Sequence, residues 1–402
     1  MLKDKTIIVG VTGGIAAYKA ADLVSRLKKQ NAKVDVIMTK SATEFVNPLT
    51  FQTLSNNPVH LGMFDKIVKW DVEHISLAKK ADMILVAPAT ANTIGKIANG
   101  LADDLLTTTI MASRAKIVFA PAMNTGMYTN PIFQENMLKL KKLGYEFVSP
   151  GSGMLACGDY GQGRMAEPAD IVEYVIDAFK EKDLAGKRVV ITAGPTIEAI
   201  DPVRYITNHS SGKMGYLLAR EAYARGARVV LISGPTALEP PRGVEFVRVN
   251  TTVEMFKAVG DYFASCDILI KAAAPADYSP EAMSETKIKK KDDGKDELNI
   301  RLVRNPDIAH YYGNRKDRQI VIGFAAETDN LVDYAREKLR KKNFDFIVAN
   351  DVTQEGAGFK SDTNIVTIID EREEKAYPRM DKRGVASLIL DKARDLIEEK
   401  GL

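Results

Sequence analysis

Twice along this chain, a short β-rich apolar run ends in a glycine-containing loop, and a helical pattern and a second apolar run follow. The first instance runs Thr6-Ile7-Ile8-Val9, then Gly10-Val11-Thr12-Gly13-Gly14, then a helical stretch over residues 16–29 with apolar Ala20, Leu23, Val24 and Leu27, then Val34-Asp35-Val36-Ile37-Met38. The second runs from a strand at 188–192 through Ala193-Gly194-Pro195-Thr196 to a helix at about 214–225 and a strand at 228–232. Apolar runs this short, bounded by Gly, Pro or polar residues, read as strands buried on both faces. Strand, helix, strand with short joints is the βαβ unit of an open parallel sheet. Further strands are expected at 83–86, 116–119, 267–272, 320–324, 344–348 and 364–369. The fold class is therefore α/β, two tandem three-layer domains with mainly parallel sheets.

A chain of 402 residues exceeds what one core normally serves. The pattern breaks around Lys180-Glu181-Lys182-Asp183 and restarts after Gly186, so domains are expected over 1–183 and 186–402, with one large sheet as the alternative. A net charge of +3 gives no reason to expect nucleic acid, although local basic patches can still hold phosphates. Two cysteines, Cys157 and Cys266, cannot build a disulfide framework and point to a reducing compartment. The N-terminus lacks the pattern of a signal peptide, and no run reaches the roughly 18 apolar residues of a membrane span. The expectation is a cytoplasmic protein with no membrane partner. Residues 284–297, crowded with lysine and acid, read as a mobile surface loop.

Ligands of open α/β sheets bind beyond the carboxyl ends of the strands, and the unusual residues of the first half lie there. Glycine lets backbone approach a ligand, and a helix start offers N–H groups to an anion, so residues 10–14 form a candidate phosphate loop or else a tight turn. Their spacing is not GxGxxG. Thr39, Ser41 and Thr43 follow the second strand, where a hydroxyl either bonds phosphate or caps a helix. The small residues Ala87-Pro88-Ala89-Thr90-Ala91-Asn92 suit a flat ring lying against backbone. His74 is either structural or functional, and Asn124 is either a carboxylate donor or a turn residue. In residues 151–164, five glycines surround Cys157, which is poor core and suggests a reactive thiol on a flexible flap. Cys266, just before a strand, reads as structural.

Together GGIAAYK, the histidine of EHISLA, PAMNTGMY and ACGDYGQGRM resemble the flavin-dependent cysteine decarboxylases over the whole first half. The resemblance implies FMN, phosphopantothenoylcysteine as substrate, and His74, Asn124 and Cys157 as working residues. It places the cofactor against Gly13, Gly14, Ile15, Ala16, Thr39, Ala87, Pro88, Ala89 and Thr90. The chemistry suits those side chains. Loss of CO₂ from a cysteine needs an electron sink, which oxidation of CH₂–SH to a thioaldehyde supplies. The enethiol left then takes back hydride and a proton. By the family pattern Cys157 donates that proton, Asn124 holds the carboxylate and His74 assists the oxidation.

In the second half, Asn208-His209-Ser210-Ser211-Gly212-Lys213-Met214-Gly215 leads into a helix, and hydroxyls, N–H groups and an ammonium there suit phosphate. A capped helix is the plainer alternative. The spacing is not that of a Walker A loop. The lysines of 287–291 read by default as a solvated surface. Lys338 and Lys342 share one helix face.

Taken together ITNHSSGKMG, AAPADY, KIKK, NPDI and GFAAET resemble the phosphopantothenate–cysteine ligases over most of residues 186–370. Decarboxylase before ligase is the order of the bacterial bifunctional enzymes of coenzyme A biosynthesis. The resemblance implies a flavodoxin-like or Rossmann-like flavoprotein half followed by a Rossmann-like ligase half. It also implies CTP, Mg²⁺, 4'-phosphopantothenate and L-cysteine as ligands. Lys287 is then tied to forming the acyl-cytidylate and Asn208 to its reaction with cysteine. The nucleotide falls to Ala273, Ala274, Asp277, Lys287, Asn305, Pro306, Asp307, Ile308, Phe324, Lys338 and Lys342. Trimeric contacts of the flavin half and dimeric ones of the ligase half are further implied, hence a closed homo-oligomer such as a dodecamer. Two rival functions keep the same folds, a flavin/NAD oxidoreductase and a non-catalytic flavoprotein regulatory subunit. The missing GxGxxG loop opposes the first, and Cys157 in its glycine flap opposes the second.

Overall fold

Six strands of the first half, β1 (Thr6–Val11), β2 (Lys33–Met38), β3 (Val59–His60), β4 (Met83–Ala89), β5 (Lys116–Pro121) and β6 (Glu146–Phe147), pair in parallel in the order 3-2-1-4-5-6. The computed structural model describes residues 2–63, 72–154, 160–289, 298–327, 331–351 and 361–402. Alternation along the strands explains the three layers. Ile7, Val9 and Val11 join one buried cluster and Ile8 another, because successive side chains leave opposite faces. Helix Ala17–Lys29 covers the first face with Ala17, Ala20, Leu23, Val24 and Leu27, an apolar stripe at helical spacing. Its last turn carries Arg26, Lys28 and Lys29, the favourable sign for a helix C-terminus.

The second half repeats this order. β7 (Arg188–Ala193), β8 (Arg228–Ser233), β9 (Glu245–Arg248), β10 (Ile268–Lys271), β11 (Ile320–Glu327) and β12 (Phe346–Asp351) pair in parallel as 9-8-7-10-11-12. Two antiparallel strands, β13 (Val366–Ile369) and β14 (Glu374–Ala376), extend the β12 edge. Both halves are thus α/β with mainly parallel sheets, and the single sheet left open by the sequence is not formed. The chain divides into two units at Phe179 and Lys180. Among the described residues no helix is long and apolar enough to cross a membrane.

Element ends differ from expectation in two instructive places. β4 continues three residues past Val86, so Ala87, Pro88 and Ala89 are buried strand and not loop. The strand expected at 364–369 is broken: Thr363–Asn364 pairs with Met380–Asp381, and only β13 joins the main sheet. Cys266 is buried, and burial pushes its thiol up to about 12, as befits a core residue.

The second unit is tied at its start by a buried guanidinium. Arg225, at the end of helix Lys213–Ala224, donates to both carboxylate oxygens of Asp183 and to Asp391 at 2.8 Å. Arg394 also reaches Asp183, at 3.1 Å. Burial alone would raise the Asp183 carboxyl, but the two arginines outweigh it and hold it below the ordinary range. Its contribution is therefore complete above about pH 4 and lost as pH falls through the lower folded value. Replacing Arg225 with Ala leaves the partly buried Asp183 carboxylate with Arg394 alone. It is expected to cost about 3 kcal/mol in the urea-induced unfolding of this unit, with the loss shrinking below pH 4.

Candidate active sites

The carboxyl ends of β1, β2, β4 and β5 surround a cavity of about 1060 Å³. Its wall includes Gly13, Gly14, Ile15, Ala16, Thr39, Thr90 and Asn124, brought together from four separate loops. The β1 loop is held by Thr12, whose buried hydroxyl donates to the Pro88 carbonyl at 2.7 Å and accepts from the Thr90 N–H at 3.1 Å. Thr90 caps helix Ala91–Ala98. Ala87, Pro88 and Ala89 therefore do not line the cavity, but they brace the loop that does. Gly13 is dictated by close approach, since a Cβ there would lie 2.3 Å from that of Ser41. Thr39 precedes the short helix Lys40–Glu44 without capping it, and its buried Oγ1 has no hydrogen-bond partner among the described residues. A glycine cradle beside an unsatisfied hydroxyl fits a phosphate-bearing flavin.

Asn124 caps helix Thr125–Thr129 through Oδ1, which accepts from the Gly126 N–H at 2.7 Å. The glycine flap is an antiparallel hairpin of Gly151–Met154 and Tyr160–Arg164. Gly163 packs on backbone, where a Cβ would meet the Met123 oxygen at 2.3 Å. Cys157 lies outside the described residues. His74, half-buried on helix Glu73–Lys80, does not line this cavity. The sequence reading missed Lys96, which contributes to the wall with Asp103 and Asp104 and bonds Asp103 at 2.8 Å.

A second cavity, of about 400 Å³, opens at the ends of β10, β11 and β12. Asn208, Ala273, Ala274, Asp277, Asn305, Pro306, Asp307, Ile308, Phe324, Lys338 and Lys342 all line it. The Asn208 amide donates to the carbonyls of Ala274 (3.3 Å) and Pro275 (3.0 Å), and buried Asn305 donates to that of Ala276 (2.9 Å). Asp307 caps helix Ile308–Gly313 and pairs with Lys342 at 3.2 Å. Burial opposes the charge of Asp307, but the His310 N–H and Lys342 hold its carboxyl below the usual range. Lys287 is exposed and does not line the cavity, while Lys290, Lys291 and Thr328 lie outside the described residues. Lys213, the ammonium of the Ser-Ser-Gly-Lys run, also lines the wall, and two further lysines there were absent from the expected site: Lys271 and Lys382. Lys271 did leave a signal, as the one charged residue in the run Ile268-Leu269-Ile270-Lys271.

Residues 1–180 match the family model described as Flavoprotein, and residues 184–396 match that of the DNA/pantothenate metabolism flavoprotein C-terminal domain. A coenzyme A biosynthesis bifunctional protein of Bacillus subtilis (strain 168) is 48% identical over 100% of this chain and 99% of its own length. One from Vibrio vulnificus (strain YJ016) is 48% identical over 98% and 99%. The chain belongs to the family of bifunctional coenzyme A biosynthesis proteins. A solved C-terminal domain from this family is 43% identical, covering 55% of this chain and 100% of that one at a TM-score of 0.47. Membership makes the chain a bifunctional flavoprotein enzyme with decarboxylase and ligase activities.

Within this family frame, the loop geometry predicts a measurable flavin phenotype. In Gly13→Ala the new methyl must displace the backbone at Ser41, so flavin affinity should fall at least tenfold in a fluorescence-quenching titration. Thr39→Val keeps the shape but removes the hydroxyl, and a loss of about 1 kcal/mol, or five- to tenfold, is expected in the same titration.

Proposed function

We propose that residues 186–402 join L-cysteine to 4'-phosphopantothenate at the expense of CTP, and that residues 1–183 decarboxylate the product with FMN to 4'-phosphopantetheine. The observation that carries the reading is the convergence of eleven expected site residues, from Asn208 to Lys342, on one lysine-rich cavity.

A carboxylate does not acylate an amine until it carries a leaving group. Its oxygen attacks the α-phosphorus of CTP, the bond to pyrophosphate breaks, and an acyl-cytidylate forms. Lys338 and Lys342 neutralise phosphate charge, with Asn305 to Ile308 and Phe324 holding the nucleotide. Lys287 assists this step from outside the wall, which Ala273, Ala274 and Asp277 complete. The cysteine nitrogen then attacks the carbonyl carbon and CMP leaves, with Asn208 positioning the intermediate. Mg²⁺ would enter with the triphosphate, whose oxygens are hard ligands suited to it.

In the flavin half, Gly13 to Ala16, Thr39 and Thr90 hold FMN, and Ala87 to Ala89 support it from beneath. When bound, FMN supplies the hydride acceptor and donor that make the cysteine carbon an electron sink. Asn124 orients the substrate carboxylate. Cys157 delivers the final proton to carbon. His74 assists the oxidation step, and the reading includes trimeric contacts of the flavin half alongside dimeric ligase contacts. A cytoplasmic location completes the proposal.

The deciding experiment incubates the protein with phosphopantothenate and cysteine plus CTP or ATP and follows phosphopantetheine by mass. Product with CTP is expected, and a preparation that binds no FMN and turns over no CTP overturns the reading. Cys157→Ser should stop after CO₂ loss with the flavin left reduced, and normal phosphopantetheine release by that variant would remove the thiol from the mechanism. Asn208→Asp should still release pyrophosphate but pass the acyl-cytidylate on at least tenfold more slowly, as trapping of the intermediate would show.

A further inference from the structure

Lys271 is an anomaly in the second unit. It ends β10, a strand whose other residues are fully buried, and is itself 6% exposed. Its Nζ is buried and has no hydrogen-bond partner among the described residues. Neighbouring strands offer it nothing ionic, since it pairs with Thr192 on β7 and Gly323 on β11. Alternation puts its side chain on the face of Leu269, the layer that holds Ile308, Ala335 and Leu339. From that layer it borders the cavity wall.

The charges that face it explain its state. Lys342 and Asp307 are the groups that act on it, and they are already paired with each other. Asp277, Arg304 and Lys338 stand elsewhere on the wall, and Lys213 and Lys382 on the remaining side. Burial first, and then the Lys342 ammonium, bring the Lys271 amine down to about 7 against a smaller opposing pull from Asp307. An unpaired buried ammonium is costly, so the side chain is largely neutral in the empty site at slightly alkaline pH.

We infer that Lys271 is a phosphate ligand of the nucleotide site that takes up a proton as the triphosphate enters. The inference rests on the CTP reading above and adds a residue and a coupling to it. A polyanion arriving in a low-dielectric cavity is the missing partner of this amine, and it favours the ammonium form. By linkage, binding then consumes protons above pH 7, so affinity falls as pH rises, by up to about tenfold per unit. Below pH 7 the amine is already charged and the coupling disappears.

The test is calorimetric titration of the full-length protein with CTP and Mg²⁺ at pH 8, in buffers of different ionisation enthalpy. At that pH the triphosphate brings no titrating proton of its own. An amine at about 7 is then about nine-tenths neutral, so uptake of about 0.9 proton per CTP is expected. Lys271→Met should bind CTP more weakly and with no uptake. Lys271→Arg, permanently charged, should also bind without uptake, and its affinity should no longer fall between pH 7 and 8. CTP binding with no proton uptake, or uptake that persists in both variants, overturns the role of Lys271 and leaves the CTP reading intact. No CTP binding by the unaltered protein overturns both.

Discussion

Reversal of strand order is the constraint on which both sites depend. In each sheet the first strand lies between the second and the fourth, so the chain leaves it once toward each side. The loops at its carboxyl end part there and cannot close over the gap. Everything polar then follows from position. Helices begin at these ends with unpaired N–H groups, and the loops that precede them must be narrow enough to let a ligand reach the backbone. Gly13 against Ser41 is that requirement in one contact. The residues beneath are predominantly apolar because a parallel sheet is covered on both faces.

The strands and the motif loops were legible because burial writes a local signal: short apolar runs with polar or glycine ends. Ala87 to Ala89 were misplaced for the same reason. Small residues and a proline look like loop, yet a proline is tolerated where the parallel register shifts, as it does between Val86 and Ala89. What decided their role was the Thr12 hydroxyl 76 residues away, a tertiary contact that no local pattern contains. His74 and Lys287 illustrate the converse. Each sits in a recognisable motif, but its motif does not say that the side chain lies outside the cavity of its own chain.

The two cavities differ in how they meet charge. In the flavin half, Lys96 and Lys19 are already committed to Asp103 and Glu167 at 2.8 Å, leaving glycine backbone, hydroxyls and the exposed Lys40 on the wall as the anion-binding groups. In the ligase half, Lys213, Lys271, Lys338, Lys342 and Lys382 gather on a wall whose carboxylates are Asp277 and Asp307. A net charge near zero thus conceals a strong local excess. Composition averages over the chain, whereas a polyanion responds to charges within about a Debye length.

That excess creates a stability problem, and neighbouring lysines solve it differently. Lys342 is paired with Asp307, and Lys213 with Asp362 at 2.8 Å. Lys271 and Lys382 are buried, and burial, helped in each case by a nearby lysine, lowers both amines from their usual range. For Lys271, being neutral at slightly alkaline pH lets a cavity lined with cations persist without its ligand, because a neutral amine escapes most of the desolvation cost of an ammonium. At slightly alkaline pH the missing proton returns when negative charge arrives. Fold stability in the empty protein and affinity for a triphosphate are therefore reconciled by one titration at the end of a buried strand.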